Sequence, residues 1–228
     1  VKAWQRLLVD EGWAGITWPK AYGGRGGTSL QSSIFTQESS RFGVATTTFA
    51  VGIGMAGPTI MRHGTEEQKE RYLRPMLRGD EVWCQLFSEP DAGSDLANIS
   101  TRAVRDGDEW VVSGQKVWTS GADESDWGIL LARTDPDVPK HKGITYFLVD
   151  MRSPGFDVRP LKQMTGSEHF SEVFIDEVRI PHENVLGEVN GGWACTLTTL
   201  ANERGLIAGA NRSSDSMALI ELARKRGR

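Results

Sequence analysis

The chain is poor in cysteine. Cys84 and Cys195 lie far apart and make neither a metal nor a redox spacing, so reduced thiols in a cytoplasm are expected. No stretch approaches the ~20 apolar residues that cross a bilayer, so no membrane span is expected. Basic excess is missing too, with 26 Lys and Arg against 30 Asp and Glu and a formal net charge of −4. A nucleic-acid partner is therefore not expected, because phosphate backbones demand a clustered basic footprint. The one basic run, Arg224-Lys225-Arg226-Gly227-Arg228, reads as the polar face of a helix. His141, His169 and His182 are scattered without ligand spacing, so no metal site is assigned. The first residue is Val1, so a targeting signal would lie outside the sequence.

What is present is ordinary globular composition, 39% apolar and 25% charged over 228 residues, enough for one large domain or two modest ones. Residues 3 to 9 read as a helix ended at Gly12, Trp13 to Gly27 as a glycine-rich loop, and Ser29 to Arg41 as a helix carrying Leu30, Ile34 and Phe35. Thr65-Glu66-Glu67-Gln68 is a capping box opening a helix with Tyr72, Leu73, Met76 and Leu77 inward, closed by Gly79. These make a helical unit over 1–81. Inside it Gly52-Ile53-Gly54-Met55-Ala56-Gly57 completes a GxGxxG after Thr46 to Val51. A dinucleotide fold needs an acidic residue ending a second strand about 20 residues on. That span holds the capped helix instead, so the glycines are expected to serve close helix packing, with an NAD site as the competing reading.

From Val82 the period shifts to two. Strands are expected at 82–88, 101–104, 109–112, 116–120, 127–134, 144–150, 156–161 and 171–180, stopped by Pro181. Short connections of this kind close into a barrel or sandwich, here over 82–188. Asp135 to Lys142 reads as an exposed loop. Helical character returns near Gly191 and opens a third unit, 189–228. The expected fold class is α+β, a helical domain, a β-barrel and the start of a helical bundle.

Within this frame Trp83 to Gly121 concentrates chemistry. The first strand runs to Ser88, where Pro90 forbids further ladder bonding. In Asp91-Ala92-Gly93-Ser94-Asp95, Gly93 permits close backbone approach and Ser94 offers a donor of phosphate-binding type. Asp106-Gly107 then turns a hairpin, Gly114 turns the chain again, and Trp118 arrives beside Ser120, within reach of Ser88. From spacing alone, an ordinary antiparallel sheet with a serine-rich loop is the competing reading. Later in the chain, Glu203 shares a helical face with Leu197, Leu200, Ile207 and Ala210. A carboxylate there is either a base whose pKa burial raises or half of an ion pair with an arginine from another helix.

Gln85-Leu86-Phe87-Ser88-Glu89-Pro90-Asp91-Ala92-Gly93-Ser94-Asp95 and Gly114-Gln115-Lys116-Val117-Trp118-Thr119-Ser120-Gly121 closely resemble the two signatures of acyl-CoA dehydrogenases. The likeness extends through Gly12-Trp13 to Gly24, Gly64 to Lys69, and Asn202-Glu203-Arg204. It implies an FAD enzyme that desaturates acyl-CoA thioesters, removing an α-proton with a glutamate and passing the β-hydride to flavin N5. By position, Trp118 would lie against the isoalloxazine, Ser120 would meet N5, Leu86, Phe87 and Ser88 the pyrimidine edge, and Ser94 the pyrophosphate. Serine at 88 and 120 replaces the family's frequent threonine and keeps the hydroxyl. The family's base occupies different sequence positions in different subgroups, and Glu203 matches one of them. Further implications are an electron-transfer flavoprotein or similar acceptor and a dimer or tetramer. The alternatives are an acyl-CoA oxidase-like flavoenzyme and a non-catalytic subunit of the same fold.

Overall fold

The computed structural model describes residues 1–42, 47–210 and 215–227. Helices α1 (Lys2–Asp10), α2 (Ser29–Ser39), α3 (Gly57–His63) and α4 (Glu66–Arg78) come first. Thr65 Oγ1 accepts from the Gln68 N–H and Gln68 Oε1 from the Thr65 N–H, so the reciprocal cap forms, and Gly79 ends α4 in a left-handed turn at φ +69. Gln68 also donates from Nε2 to the carbonyls of Glu183 and Val185, at 2.8 and 2.9 Å, tying the helical part to the far end of the sheet.

Gly52–Ala56 is a π-helical turn running into α3. A Cβ on Gly57 would stand 2.3 Å from Trp18 Cζ2, and one on Gly54 would stand 2.4 Å from Leu206 Cδ1. These glycines permit close helix packing. No strand precedes them among the described residues, so the dinucleotide turn is excluded here. Of its expected leading strand, Thr46 to Val51, only Thr46 lies outside the described residues.

Eight strands follow: β1 (Trp83–Leu86), β2 (Arg102–Asp106), β3 (Glu109–Ser120), β4 (Trp127–Arg133), β5 (Ile144–Asp150), β6 (Phe156–Leu161), β7 (Phe170–Pro181) and β8 (Val185–Leu186). They form one sheet in the order β6-β7-β3-β2-β4-β5-β8, with β1 parallel on β4. A single pair, Arg102 with Arg133, joins β2 to β4, and the order stays open from β6 to β8. The two halves pack over a shared core of Leu86, Val112, Leu130, Phe147, Val173 and Val178, so where a barrel was expected the described strands form a sheet folded over its core, with no ladder joining β6 to β8. Period-two alternation on β1 sends Cys84 and Leu86 into that core and Trp83 and Phe87 into a second one shared with Ile60, Tyr72, Leu73 and Tyr146.

Two local expectations change. The first strand ends at Leu86, not Ser88. Gly114 does not turn the chain, since β3 runs unbroken through it; a Cβ there would meet Thr101 Cα at 2.7 Å, so close approach explains the glycine. Helices α5 (Gly192–Ala210) and α6 (Asp215–Lys225) complete the described chain. No described helix is long and apolar enough to cross a membrane.

Candidate active site

The tail of β1 and the end of β3 run side by side. The Val117 N–H donates to the Ser88 carbonyl at 2.9 Å, and Lys116 Nζ to the Phe87 carbonyl at 3.1 Å. Ser88 and Trp118 to Ser120 are thereby brought into one neighbourhood. The β3–β7 register shifts between Lys116 and Thr119, and Trp118 adopts φ +60, a left-handed conformation costly for an L-residue. This bulge reverses the alternation. Thr119 is buried, while the Trp118 indole stands 61% exposed with Phe170 edge-on at 6.0 Å. A large apolar ring held outward on a strained backbone is a feature to be explained by what it touches.

Ser120 and Ser94 are exposed and Ser88 is half-buried, and none of the three hydroxyls has a hydrogen-bond partner among the described residues. Leu86 and Phe87 are buried with side chains turned away into the two cores, so what they offer a ligand is backbone. Gly93 would meet nothing within 4 Å if it carried a Cβ, leaving open space beside Ser94. An exposed indole, three unspent hydroxyls and an uncrowded glycine loop fit a flat ring with a polar edge and a phosphate tail.

Beneath this surface lies a group that sequence reasoning missed. Glu89 Oε1 accepts from Lys116 Nζ at 2.7 Å and from the Thr101 N–H at 3.0 Å, while Oε2 accepts from the Ser100 N–H at 2.6 Å and hydroxyl at 2.8 Å. The Glu89 and Lys116 side chains are 3% and 0% exposed. Burial alone would raise the Glu89 carboxyl. The Lys116 charge and the converging hydrogen bonds outweigh it and hold the pKa down at about 2. Burial draws Lys116 downward, with Glu89 pulling it back.

Glu203 lies on α5, half-buried, and accepts from Gln85 Nε2 at 3.4 Å. Of the expected apolar stripe, Leu200 is half-buried against the helical core and Leu197 is 53% exposed, and the side chains of Ile207 and Ala210 lie outside the described residues; the fully buried positions one and two turns back are Thr199, Thr196 and Cys195. Small hydroxyls suit this face because they bond back to their own helix, Thr196 to the Gly192 carbonyl and Thr199 to that of Cys195. Thr199 Oγ1 also meets Thr59 Oγ1 at 2.9 Å and the Tyr146 hydroxyl at 3.0 Å, fixing α5 against α3 and β5 one turn before Glu203. No cluster of three or more His, Cys, Asp or Glu among the described residues is placed to hold a metal ion.

Comparison with known proteins matches residues 2–80 to the acyl-CoA dehydrogenase N-terminal domain and residues 84–178 to the acyl-CoA dehydrogenase middle domain. Acyl-CoA dehydrogenase FadE34 of Mycobacterium tuberculosis is 52% identical over 204 residues, 90% of this chain and 28% of that protein. Acyl-CoA dehydrogenase IpdE1 of the same organism is 39% identical over 227 residues, 98% of this chain and 59% of that protein. A solved structure titled Tcur3481-Tcur3483 steroid ACAD superposes with a TM-score of 0.89 at 40% identity, over 99% of this chain and 59% of its own. The chain thus spans well under two thirds of the length of these relatives.

Proposed function

Because this chain belongs to the FAD-dependent acyl-CoA dehydrogenase family, we propose that it forms the flavin-facing part of an enzyme that desaturates an acyl-CoA thioester between its α and β carbons. The observation that carries the reading is the exposed Trp118 on its bulge, one residue after the Val117 N–H that bonds the Ser88 carbonyl, together with Gln85, three residues before Ser88, donating to Glu203.

In this reading Trp118 gives the isoalloxazine a flat apolar face, Ser120 and Ser88 present hydroxyls to its polar edge, and the backbone of Leu86 and Phe87 lines the pyrimidine side. Ser94 holds the pyrophosphate. Bound FAD would supply the acceptor for the β-hydride. Glu203 takes the α-proton, and the Gln85 amide orients the carboxylate without neutralising it, which an arginine would do. The buried hydroxyls of Thr59, Thr199 and Tyr146 keep α5 from drifting and so keep Glu203 in place. A steroid-type, polycyclic acyl group is the finer substrate reading, supported by the likeness to the solved steroid ACAD. Reduced flavin would then be reoxidised by an electron-transfer flavoprotein or similar acceptor, in an oligomer.

The test is a titration of the purified protein with FAD followed by anaerobic addition of acyl-CoA. The reading expects flavin bands that bleach on substrate addition and recover with an electron acceptor faster than with oxygen. Bound FAD without bleaching would favour a non-catalytic subunit, rapid recovery with oxygen an oxidase, and no FAD binding would overturn the proposal.

A further inference from the structure

Glu89 touches no surface that a ligand reaches, yet it binds three separate segments at once. Its own residue closes the tail of β1, and a tight reciprocal pair of backbone bonds with Ala92, at 3.0 and 3.1 Å, starts the glycine loop there. Through Oε2 it takes both donors of Ser100, and through Oε1 the N–H of Thr101, where that same loop ends. Through Lys116 it reaches β3, and Lys116 passes the tie on to the Phe87 carbonyl. One carboxylate therefore clamps both ends of the loop that carries Ser94 and fixes that loop against the strand that carries Trp118 and Ser120.

We propose that the Glu89–Lys116 pair is a positioning device for FAD, setting the spacing between the ring end of the site (Phe87, Ser88, Trp118, Ser120) and its pyrophosphate end (Ser94). This rests on the flavin reading above. A buried pair of this kind is weak evidence for stability, because replacing both charges by apolar groups is often neutral, whereas removing one partner strands the other. The location favours the positioning role: the pair sits where two cofactor-facing segments must keep register, and a misplacement near 1 Å can cost about a hundredfold in function.

The two roles separate in a double variant of the FAD-binding protein. Lys116→Met alone leaves a buried carboxylate without its cation and is expected to lower both melting temperature and FAD affinity. Adding Glu89→Gln removes the stranded charge. If the pair positions the cofactor, the double variant recovers most of its melting temperature while FAD still binds about tenfold or more weakly than to wild type and its visible flavin bands stay shifted. Recovery of FAD affinity together with melting temperature would overturn the proposal. Should the double variant fail to fold, Ser100→Ala removes one hydroxyl donor at an exposed position. A rise of about threefold in the FAD dissociation constant at unchanged melting temperature supports the clamp, and an unchanged constant refutes it. Wild-type protein that binds no FAD would instead sink the flavin reading itself, a result distinct from wild-type binding with variants that match it.

Discussion

Gln85 Nε2 and Glu203 Oε2 meet at 3.4 Å, so the partner of this carboxylate is a neutral amide from β1 and not the arginine that an ion pair would require. No Lys or Arg pairs with it among the described residues. An amide partner leaves the carboxylate outside the ion pair that the competing reading required, which places the weight of the account on Glu203. The variants below separate that chemistry from the packing that supports it.

Trp118 offers a substitution in which stability and ligand binding part company. Its left-handed backbone costs an L-residue about 1–2 kcal/mol, which Trp118→Gly relieves. Against this, glycine loses more chain entropy, about 0.5–1 kcal/mol, and the edge-on contact with Phe170, about 0.5–1.5 kcal/mol, disappears. The melting temperature of Trp118→Gly should therefore stay within a few degrees of wild type while FAD affinity drops. Equal FAD affinity in the two proteins would show that the indole faces something else.

Acid should expose the Glu89 clamp. Its pKa falls from an ordinary 4.5 to about 2 on folding, so the stabilisation is present above pH 4.5 and is lost as pH falls toward 2. Denaturant unfolding at pH 6, 4 and 3 should show wild-type stability falling more steeply over this window than that of the Glu89→Gln, Lys116→Met double variant. Parallel slopes would mean that other carboxylates govern acid unfolding.

Gly57 tests the packing reading of the glycine motif. Trp18, 3% exposed, stands 2.3 Å from where a Cβ would be, and its ring has little room to retreat. Gly57→Ala should destabilise by about 1–3 kcal/mol, the usual cost of overpacking. FAD affinity measured well below the melting point should not change. Loss of nucleotide binding with no loss of stability would restore the dinucleotide reading.

Much of the fold was legible because local signals agreed with it. The Thr65 box, Gly79 and the change of period at Val82 each name an element boundary through a backbone need that the structure then meets. The turn between β2 and β3 was found through Gly107, at φ +61, although it spans Gly107-Asp108. Lys116 was half legible. It shares the parity of Trp110 and Val112, which face inward, so alternation alone would put its ammonium inside. Its partner was not legible, because Glu89 lies 27 residues away and nothing local selects it among 30 acidic residues. The bulge at Trp118 carries no glycine to announce it, so the reversal that turns Trp118 outward and Thr119 inward shows only in the register with β7. The buried face of α5 was only partly legible: Leu200 was found, but Thr196 and Thr199 count as polar in a pattern, while in the helix they bond back to their own carbonyls and pack inward.

The most direct test of the account is the anaerobic single-turnover rate of flavin reduction by acyl-CoA in Glu203→Gln. Glutamine keeps the shape of the side chain and removes only the site for the proton, so FAD and acyl-CoA should bind as in wild type. A positioned general base is worth about 10² to 10⁴-fold, and the reduction rate should fall by at least that range. A rate within a few-fold of wild type, with FAD and substrate bound, would contradict the assignment of Glu203 as the base.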